Sequence, residues 1–388
     1  MTETIVKGYK YRLLPTQEQE IIFSQTFGCV RKMWNTLLDE GKQGIYRKIT
    51  EIKEEYPYMK HIDSQSLTST WKHLSQTFKN VSNKACGYPK FKSKYNSVQS
   101  YTTHKDCSNL KITDNKIYLR KVGNVKIVLH RDLPSNSEIK HATISRIANE
   151  YYISLTVEYI QTVKQKENNV FHMLGLDYSP NLLYVDQEGE SPEHIKQFIQ
   201  ELKHEEEKVK KLSKIMSRRV KGSNNWLKAK LKLQKQQFHI KNKRKDFLHK
   251  ESRKIANRYD TVVIEDLNLK SMGEKSDYNP EENIDYQEAT KAKRGRKNMF
   301  RVGYHTFTTM LEYKLREENK ELIKVYRYFA STKTCPICNH TQDMPTEIRT
   351  YQCTECGHTM ERDQNAALNL VLEGYRLQTK HEIEKWIS

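Results

Sequence analysis

Hydrophobic positions along this chain fall into three regimes of spacing, and each regime predicts a different kind of element. From Ile5 to Leu14 the pattern is that of a strand that stops before Pro15. Thr16 then opens a helical pattern in which Ile21, Ile22, Phe23, Phe27, Val30, Met33, Trp34 and Leu37 recur at helix spacing. A second helical stretch covers Tyr46 to Tyr56. A third starts at the N-cap candidate Asp63 and carries Leu67, Trp71, Leu74 and Phe78 on one periodic face, so the aromatics of this module read as core.

From Gly87 the period shortens to alternation broken by turn signals. Leu110–Thr113, Lys116–Leu119 and Val125–Leu129, separated by Asp114-Asn115 and Gly123-Asn124, predict hairpins. Ala142–Arg146 and Tyr151–Tyr159 predict another about Ala148-Asn149. A β-barrel or curved sheet is expected, joined by the first strand, which makes the helical module an insertion between strands. Lys90, Lys92, Lys94, Lys105, Lys111 and Lys126 give this region a basic cast that a solvated sheet face also explains.

The third regime follows a polar linker at Gln161–Asn169. Two short apolar runs, Phe171–Leu176 and Thr261–Ile264, read as buried strands, with a hairpin through Leu182–Val185 and one long charged helix from Pro192 to Tyr259. A last helix carries Ala366, Ala367, Leu370 and Val371. The two strands close on Asp177 and Glu265, and the last helix opens on Asp363. Any one of these acids is explained as a turn residue or a helix cap. Three of them at strand ends and a helix start can converge, and convergent carboxylates are the hard oxygen ligands that two magnesium ions need beside a water and a scissile phosphate. Asp186, Asp266 and Glu361 each sit beside a better placed acid.

Charge narrows the partner. The chain has 67 Lys and Arg against 48 Asp and Glu, a formal charge of +19 and a pI near 9.4. Between Lys208 and Lys254 eighteen basic residues, among them Lys214, Arg218, Arg219, Lys221 and Lys228, face only Asp246 and Glu251, a local +16 that repels itself unless a polyanion lies against it. Nucleic acid is the expected partner. A mean hydropathy of -0.86, no apolar run near 18 residues and no signal-peptide pattern at Met1–Lys10 argue against a membrane, so a cytoplasmic protein is expected.

Four of the seven cysteines form Cys335-Pro-Ile-Cys338, fourteen intervening residues, and Cys353-Thr-Glu-Cys356-Gly357. Paired knuckles of this kind place four thiolates around one zinc, closing its coordination sphere, so the metal is structural and does not catalyse. Cys29, Cys86 and Cys107 are scattered and read as buried thiols.

At this point the residues carry a resemblance that covers nearly the whole chain. Tyr9-Lys-Tyr-Arg-Leu-Leu-Pro-Thr-Gln-Glu-Gln-Glu, Gly87-Tyr-Pro-Lys-Phe-Lys-Ser-Lys, Gly175-Leu-Asp, Asp246-Phe-Leu-His-Lys, Val263-Ile-Glu-Asp-Leu-Asn, Ser331-Thr-Lys-Thr-Cys-Pro-Ile-Cys and Arg362-Asp-Gln-Asn-Ala-Ala occur in this order. In them the chain resembles the TnpB (OrfB) family of transposon-encoded RNA-guided DNA endonucleases, relatives of the type V CRISPR effectors. The resemblance implies a multidomain α/β and β architecture. A wedge-like β-barrel (1–15 and 87–165) would hold an inserted helical recognition module (16–86). A RuvC-like nuclease domain of RNase H fold (170–330 and 357–388) would hold an inserted zinc ribbon (331–356).

It further implies Asp177, Glu265 and Asp363 as the ligands of two Mg2+ ions, Cys335, Cys338, Cys353 and Cys356 as the ligands of one Zn2+, and Arg362 and Asn365 as candidates for orienting the phosphate. Lys214, Arg218, Arg219, Lys221, Lys228, Lys90 and Lys92 are the expected nucleic-acid contacts. The implied partners are a guide RNA from the protein's own element, double-stranded target DNA and the displaced single strand, in the nucleoid of a prokaryotic host. Guide pairing would read the target and the protein a short adjacent motif. Two departures stand out: Tyr178-Ser-Pro-Asn after Asp177, where the family favours small flexible residues, and a long segment Lys275–Lys297, expected as a mobile loop beside the site. The alternatives are a nuclease-inactive RNA-guided repressor or transposition accessory, and a plain zinc-ribbon DNA-binding protein.

Overall fold

The computed structural model describes residues 2–106, 109–162, 172–268, 301–345 and 347–387. They fall into two compact units, Met1–Thr162 with Leu212–Phe238, and Val163–Lys211 with His239–Ser388. Cys107 and the segment Lys275–Lys297 lie outside the described residues.

The first unit is built on seven antiparallel strands, β1 (Thr2–Leu14), β2 (Val98–His104), β3 (Ile112–Thr113), β4 (Lys116–Leu119), β5 (Gly123–Val128), β6 (Glu138–Ile147) and β7 (Glu150–Thr162), in the order β2-β6-β7-β1-β5-β4-β3. Alternation along β1 buries Tyr9, Tyr11 and Leu13. The hairpin turns need left-handed backbone at both central residues, and Asp114-Asn115 and Ala148-Asn149 supply it with φ of 51 and 56° and of 49 and 69°. Between β1 and β2 lie helices α1 (Gln17–Asp39), α2 (Ile49–Glu55) and α3 (Ser64–Ser82). Thr16 caps α1 reciprocally with Gln19, and Asp63 caps α3 while its second oxygen accepts from Thr103 of β2 at 2.5 Å, tying helix to sheet.

The stretch expected as one helix from Tyr46 to Tyr56 is a 3-10 turn at Gln43–Tyr46 followed by α2. The break falls at Arg47, whose extended backbone lets its guanidinium span Glu40 and Glu55. Of the scattered cysteines Cys29 is buried, but Cys86 is exposed beyond the end of α3.

The second unit contains β8 (Met173–Ser179), β9 (Leu183–Asp186), β10 (Thr261–Glu265) and β11 (Glu321–Val325) in the order β11-β10-β8-β9, parallel except for the β8–β9 hairpin. Helix α6 (Tyr304–Glu317) covers one face, where Phe307 and Leu311 pack with Leu174, Leu176, Val262 and Ile264. Helix α7 (Arg362–Ile387) covers the other, where Leu370 and Val371 pack with Met173, Val263 and Val325. A strand buried on both faces reads as a continuous apolar run, which is why β8 and β10 stand out in the sequence. A small sheet of β12 (Thr350–Gln352) and β13 (Thr359–Glu361) leads directly into α7.

The long charged helix is two helices, α4 (Ile195–Ser217) and α5 (Asn224–Arg258). Gly222, at φ +90°, turns the chain, and the Ser223 hydroxyl accepts from the Trp226 amide to start α5. Leu212–Phe238, which the sequence reading assigns to the nuclease region, clusters with the first unit. There Trp226 meets Tyr95 edge-on at 5.4 Å and Phe238 meets Tyr152 at 5.7 Å between ring centroids.

Candidate metal centres and nucleic-acid surface

Side-chain alternation decides where the three acids point. Met173 and Val263 face α7, so two residues along each strand Gly175 and then Asp177 on β8, and Glu265 on β10, share that face. The parallel register pairs Gly175 with Val263 and Leu176 with Ile264, which brings Asp177 and Glu265 level on adjacent strands about 4.8 Å apart. Asp177 does not end its strand: β8 runs on to Ser179, and Asp177 pairs with Val185 of β9, so it is held from both sides. Glu265 is the last residue of β10, beside Val325 of β11.

The third acid is brought in by close packing of α7. A Cβ on Gly175 would lie 2.2 Å from the Ala367 carbonyl oxygen and 2.8 Å from Val371 Cγ2. On the helix side, a Cβ on Gly374 would lie 2.6 Å from Val263 Cγ2 and 2.8 Å from Met173 Sδ. Two glycines, one in the strand and one in the helix, thus let α7 lie on the sheet with its first turn, and Asp363, at the carboxylate end.

The electrostatics agree with that placement. Asp177 is 8% exposed, and its carboxyl is pushed well above the usual range by burial first, then by the Glu265 and Asp363 carboxylates; Arg362 pulls the other way. Burial also raises Glu265, partly offset by the Ser331 hydroxyl, which donates to Glu265 Oε1 at 2.5 Å. Asp363 Oδ1 accepts from Arg362 Nε at 3.1 Å and from its terminal nitrogen at 3.0 Å, and Arg349 stands 3.7 Å from Oδ2. Desolvated, mutually repelling carboxylates are the donor set that a hard divalent cation satisfies.

Arg349 is a neighbour that the sequence does not announce, because nothing in its surroundings distinguishes it from other ribbon residues. Asn365 does not fit the phosphate-orienting role. It is fully buried, and its amide nitrogen donates to the carbonyls of Ser331 at 3.4 Å and Thr334 at 3.0 Å; Asn369 repeats the pattern at 2.8 and 2.7 Å. Both asparagines clamp the stem of the cysteine knuckles onto α7.

Among the described residues, Cys335, Cys338, Cys353 and Cys356 are the group of metal-ligand side chains whose donor atoms all lie within 4.8 Å of one another. Sγ pairs 335–356 and 338–353 are each 3.6 Å apart, close to the edge of about 3.8 Å of a tetrahedron with zinc–sulfur bonds of about 2.3 Å. Each knuckle is turned by a left-handed residue after its second cysteine, Asn339 at φ +60° and Gly357 at φ +73°. The Cys335 and Cys353 amides donate to the carbonyls of His340 and His358, both at 2.8 Å. Among the crowded sulfurs the Cys353 thiol is lowered, first by the Cys356 backbone amide, while those of Cys338 and Cys356 are raised by desolvation and by their sulfur neighbours. The four sulfurs therefore fit zinc. The hairpin β12–β13 extends this unit past Cys356 to Glu361, two residues from Asp363.

The basic candidates are distributed over the first unit. Lys214 lies in the last turn of α4, Arg218, Arg219 and Lys221 in the connection, and Lys228 in α5, all exposed. Lys90 and Lys92 follow the helical module, where the Lys90 carbonyl accepts from Trp34 Nε1 and Asn35 brackets the Lys92 backbone through both its amide atoms. The Lys92 stem is exposed, but its ammonium sits 3.7 Å from the centre of the Trp34 ring, where desolvation pushes it down to about 8. Among the described residues no helix is long and apolar enough to cross a membrane.

Comparison with known proteins adds an independent line. Three family models match in chain order: the helix-turn-helix domain model of OrfB at residues 1–49, the OrfB "Probable transposase" model at 152–276 and the "Cas12f1-like, TNB domain" model at 304–370. Residues 1–49 form a strand, a helix and a 3-10 turn here, so that match is one of sequence and not of the motif in its name. A "Putative RNA-guided DNA endonuclease" of Streptomyces pristinaespiralis is 29% identical over 96% of this chain and 90% of its own length. The "Putative RNA-guided DNA endonuclease InsQ" of Escherichia coli K12 is 25% identical over 95% and 92%. The TnpB-like protein L79 of Acanthamoeba polyphaga mimivirus is 28% identical over 60% and 44%. Among solved structures, Cas12f1 in its complex with sgRNA and target DNA superposes with a TM-score of 0.56 over 95% of this chain and 99% of that one, at 14% identity, a likeness of fold. With three family models met in chain order and relatives matched over nearly their whole length, the chain is similar throughout to OrfB proteins and to proteins named RNA-guided DNA endonucleases.

Proposed function

We propose that this chain is a transposon-encoded RNA-guided DNA endonuclease whose hydrolytic site is Asp177, Glu265 and Asp363. The observation that carries the reading is the level placement of Asp177 and Glu265 on adjacent parallel strands, with the first turn of α7 packed against the same face. The second unit, without Leu212–Phe238, then acts as a RuvC-like domain of RNase H type, and the knuckles as its zinc ribbon. The first unit acts as the wedge-like barrel with the inserted helical module, where a guide RNA and a short target-adjacent motif are read. The names of the endonuclease relatives, and the sgRNA and target DNA bound by Cas12f1, support guide RNA and DNA as partners.

Within the site each side chain has a task. Asp177, Glu265 and Asp363 would together hold the divalent ions, as hard oxygen donors facing one another. Bound magnesium would supply an activated water and neutralise charge at the phosphate during in-line displacement. Ser331 fixes the rotamer of Glu265, and Arg362 that of Asp363. Burial excludes bulk water around Asp177, which strengthens its attraction for a cation.

The test is purification with the DNA flanking its gene, sequencing of the RNA that copurifies, and incubation with a plasmid carrying the guide-matched target in Mg2+ or in EDTA. Cleavage in Mg2+ alone, abolished in Asp177→Ala, is expected. A protein that holds its RNA and binds the target but never cuts it would make this chain a guided binder instead.

A further inference from the structure

Two tyrosines stand unusually bare beside the carboxylates. Tyr326 is 70% and Tyr328 75% exposed, and their rings meet edge-on with centroids 5.3 Å apart. Single exposed aromatics need no account, but a preformed pair projecting from a short turn does. The turn is rigidly tied. Tyr326 follows Val325, which is paired with Glu265, so its backbone begins one residue past the level of that acid. The Phe329 amide closes the turn on the Tyr326 carbonyl at 2.9 Å, and the Phe329 ring packs into the cluster of Met173 and Val263. Arg327 Nε donates to the carbonyl of Asp266 at 3.0 Å, and Ser331 ends the segment on Glu265 itself. Both ends of 326–331 are therefore fastened to the Glu265–Asp266 corner, and what the segment presents outward is two π-faces.

We propose that Tyr326 and Tyr328 form a stacking platform for unpaired bases of the DNA single strand whose phosphate lies at Asp177, Glu265 and Asp363. The inference rests on the nuclease reading of those acids. Single-strand sites combine a cationic track with aromatic faces on which any base can stack, and positive charge is supplied by Arg327 within the turn, beside Asp266, and by Arg349 beside Asp363. A platform fixed to Glu265 would hold the scissile nucleotide in register while leaving sequence unread, as a guided enzyme requires, because every base has a π-face.

The test separates the platform from the chemistry. Binding of a single-stranded oligothymidine carrying one 2-aminopurine is followed by fluorescence in the Asp177→Ala guide complex, with the tyrosines intact, as Tyr326→Ala/Tyr328→Ala and as Tyr326→Phe/Tyr328→Phe. Stacking predicts quenching with intact tyrosines and with the Phe pair, and loss of quenching with roughly tenfold or greater weakening per ring in the Ala pair. In the cleaving protein, the Ala pair is expected to raise the half-saturating concentration of single strand more than it lowers the maximal rate. Equal quenching and affinity in the Ala pair, or a Phe pair as weak as the Ala pair, would overturn the platform. Failure of the unsubstituted complex to cut any DNA would instead strike the nuclease reading, and the fluorescence comparison would still decide the platform.

Discussion

Gly175 of β8 lies against the carbonyl of Ala367 in α7, so close that a methyl group on Gly175 would sit 2.2 Å from that oxygen. The contact is between backbones, which cannot rotate away. Gly175→Ala should push α7 outward, cost about 1–3 kcal/mol of stability as overpacking does, and displace Asp363 from Asp177 and Glu265. A misplacement of about 1 Å at a reacting centre is worth roughly 100-fold in rate. Thermal unfolding and magnesium-dependent cleavage should both fall, whereas Gly8→Ala, with open space around it, should change neither by much. Undiminished cleavage in Gly175→Ala would show that the placement of α7 does not govern the site.

Burial and two neighbouring carboxylates raise the Asp177 carboxyl, and the sign of the consequence is definite. An acid whose folded pKa lies above its unfolded value favours folding only while protonated, so that contribution is present below about pH 4 and is lost as pH rises through the folded pKa. Metal-free Asp177→Asn should therefore unfold a few degrees higher than the unsubstituted protein at pH 7–8, at about 1.4 kcal/mol for each pKa unit relieved. The gap should close toward pH 4 and shrink when Mg2+ is added, while cleavage is abolished. Melting curves that coincide at every pH would remove the repulsion argument.

Much of this site is legible in the sequence because the strands that carry it are buried on both faces. Met173–Leu176 and Thr261–Ile264 read as short apolar runs, and the acids that follow them are conspicuous for that reason. The bend at Gly222 and Ser223 is hidden, because basic residues continue on both sides and a solvated helix offers no apolar stripe to interrupt. β2 is hidden for the opposite cause: Val98-Gln-Ser-Tyr-Thr-Thr-His is mostly polar and is held as a strand by its pairing with β6. The roles of Asn365 and Ser331 are tertiary facts, set by a stem that meets α7 across more than thirty residues of chain, and no local pattern announces them.

The connection between α4 and α5 carries Arg218, Arg219 and Lys221, all exposed, on a tight turn. Reversing the three to Glu should weaken guide RNA binding and lower the slope of log K against log salt by about one for each phosphate no longer neutralised. Filter binding between about 50 and 400 mM salt, where counterion release is felt, measures it. The fold should persist, since none of the three is buried. A slope that stays the same would place this turn away from the RNA.

The cysteine knuckles give a prediction that separates the two metals. Cys335→Ser or Cys353→Ser removes one of four thiolates, and a four-thiolate site contributes folding free energy directly, so zinc content should drop from one equivalent toward none. The effect should travel. Ser331 and Thr334 stand just before Cys335, where Asn365 and Asn369 grip their carbonyls, and Ser331 holds Glu265. At the other end β13 runs into α7 two residues before Asp363. A loosened ribbon therefore relaxes two of the three acids, and cleavage should fall by roughly tenfold or more even though no cysteine touches the substrate. Omitting magnesium should stop cleavage without releasing zinc. Metal content by mass spectrometry, measured on the same preparations as cleavage, decides the matter: a cysteine variant that keeps its zinc and its full rate would mean that the four sulfurs neither hold the metal nor support the site.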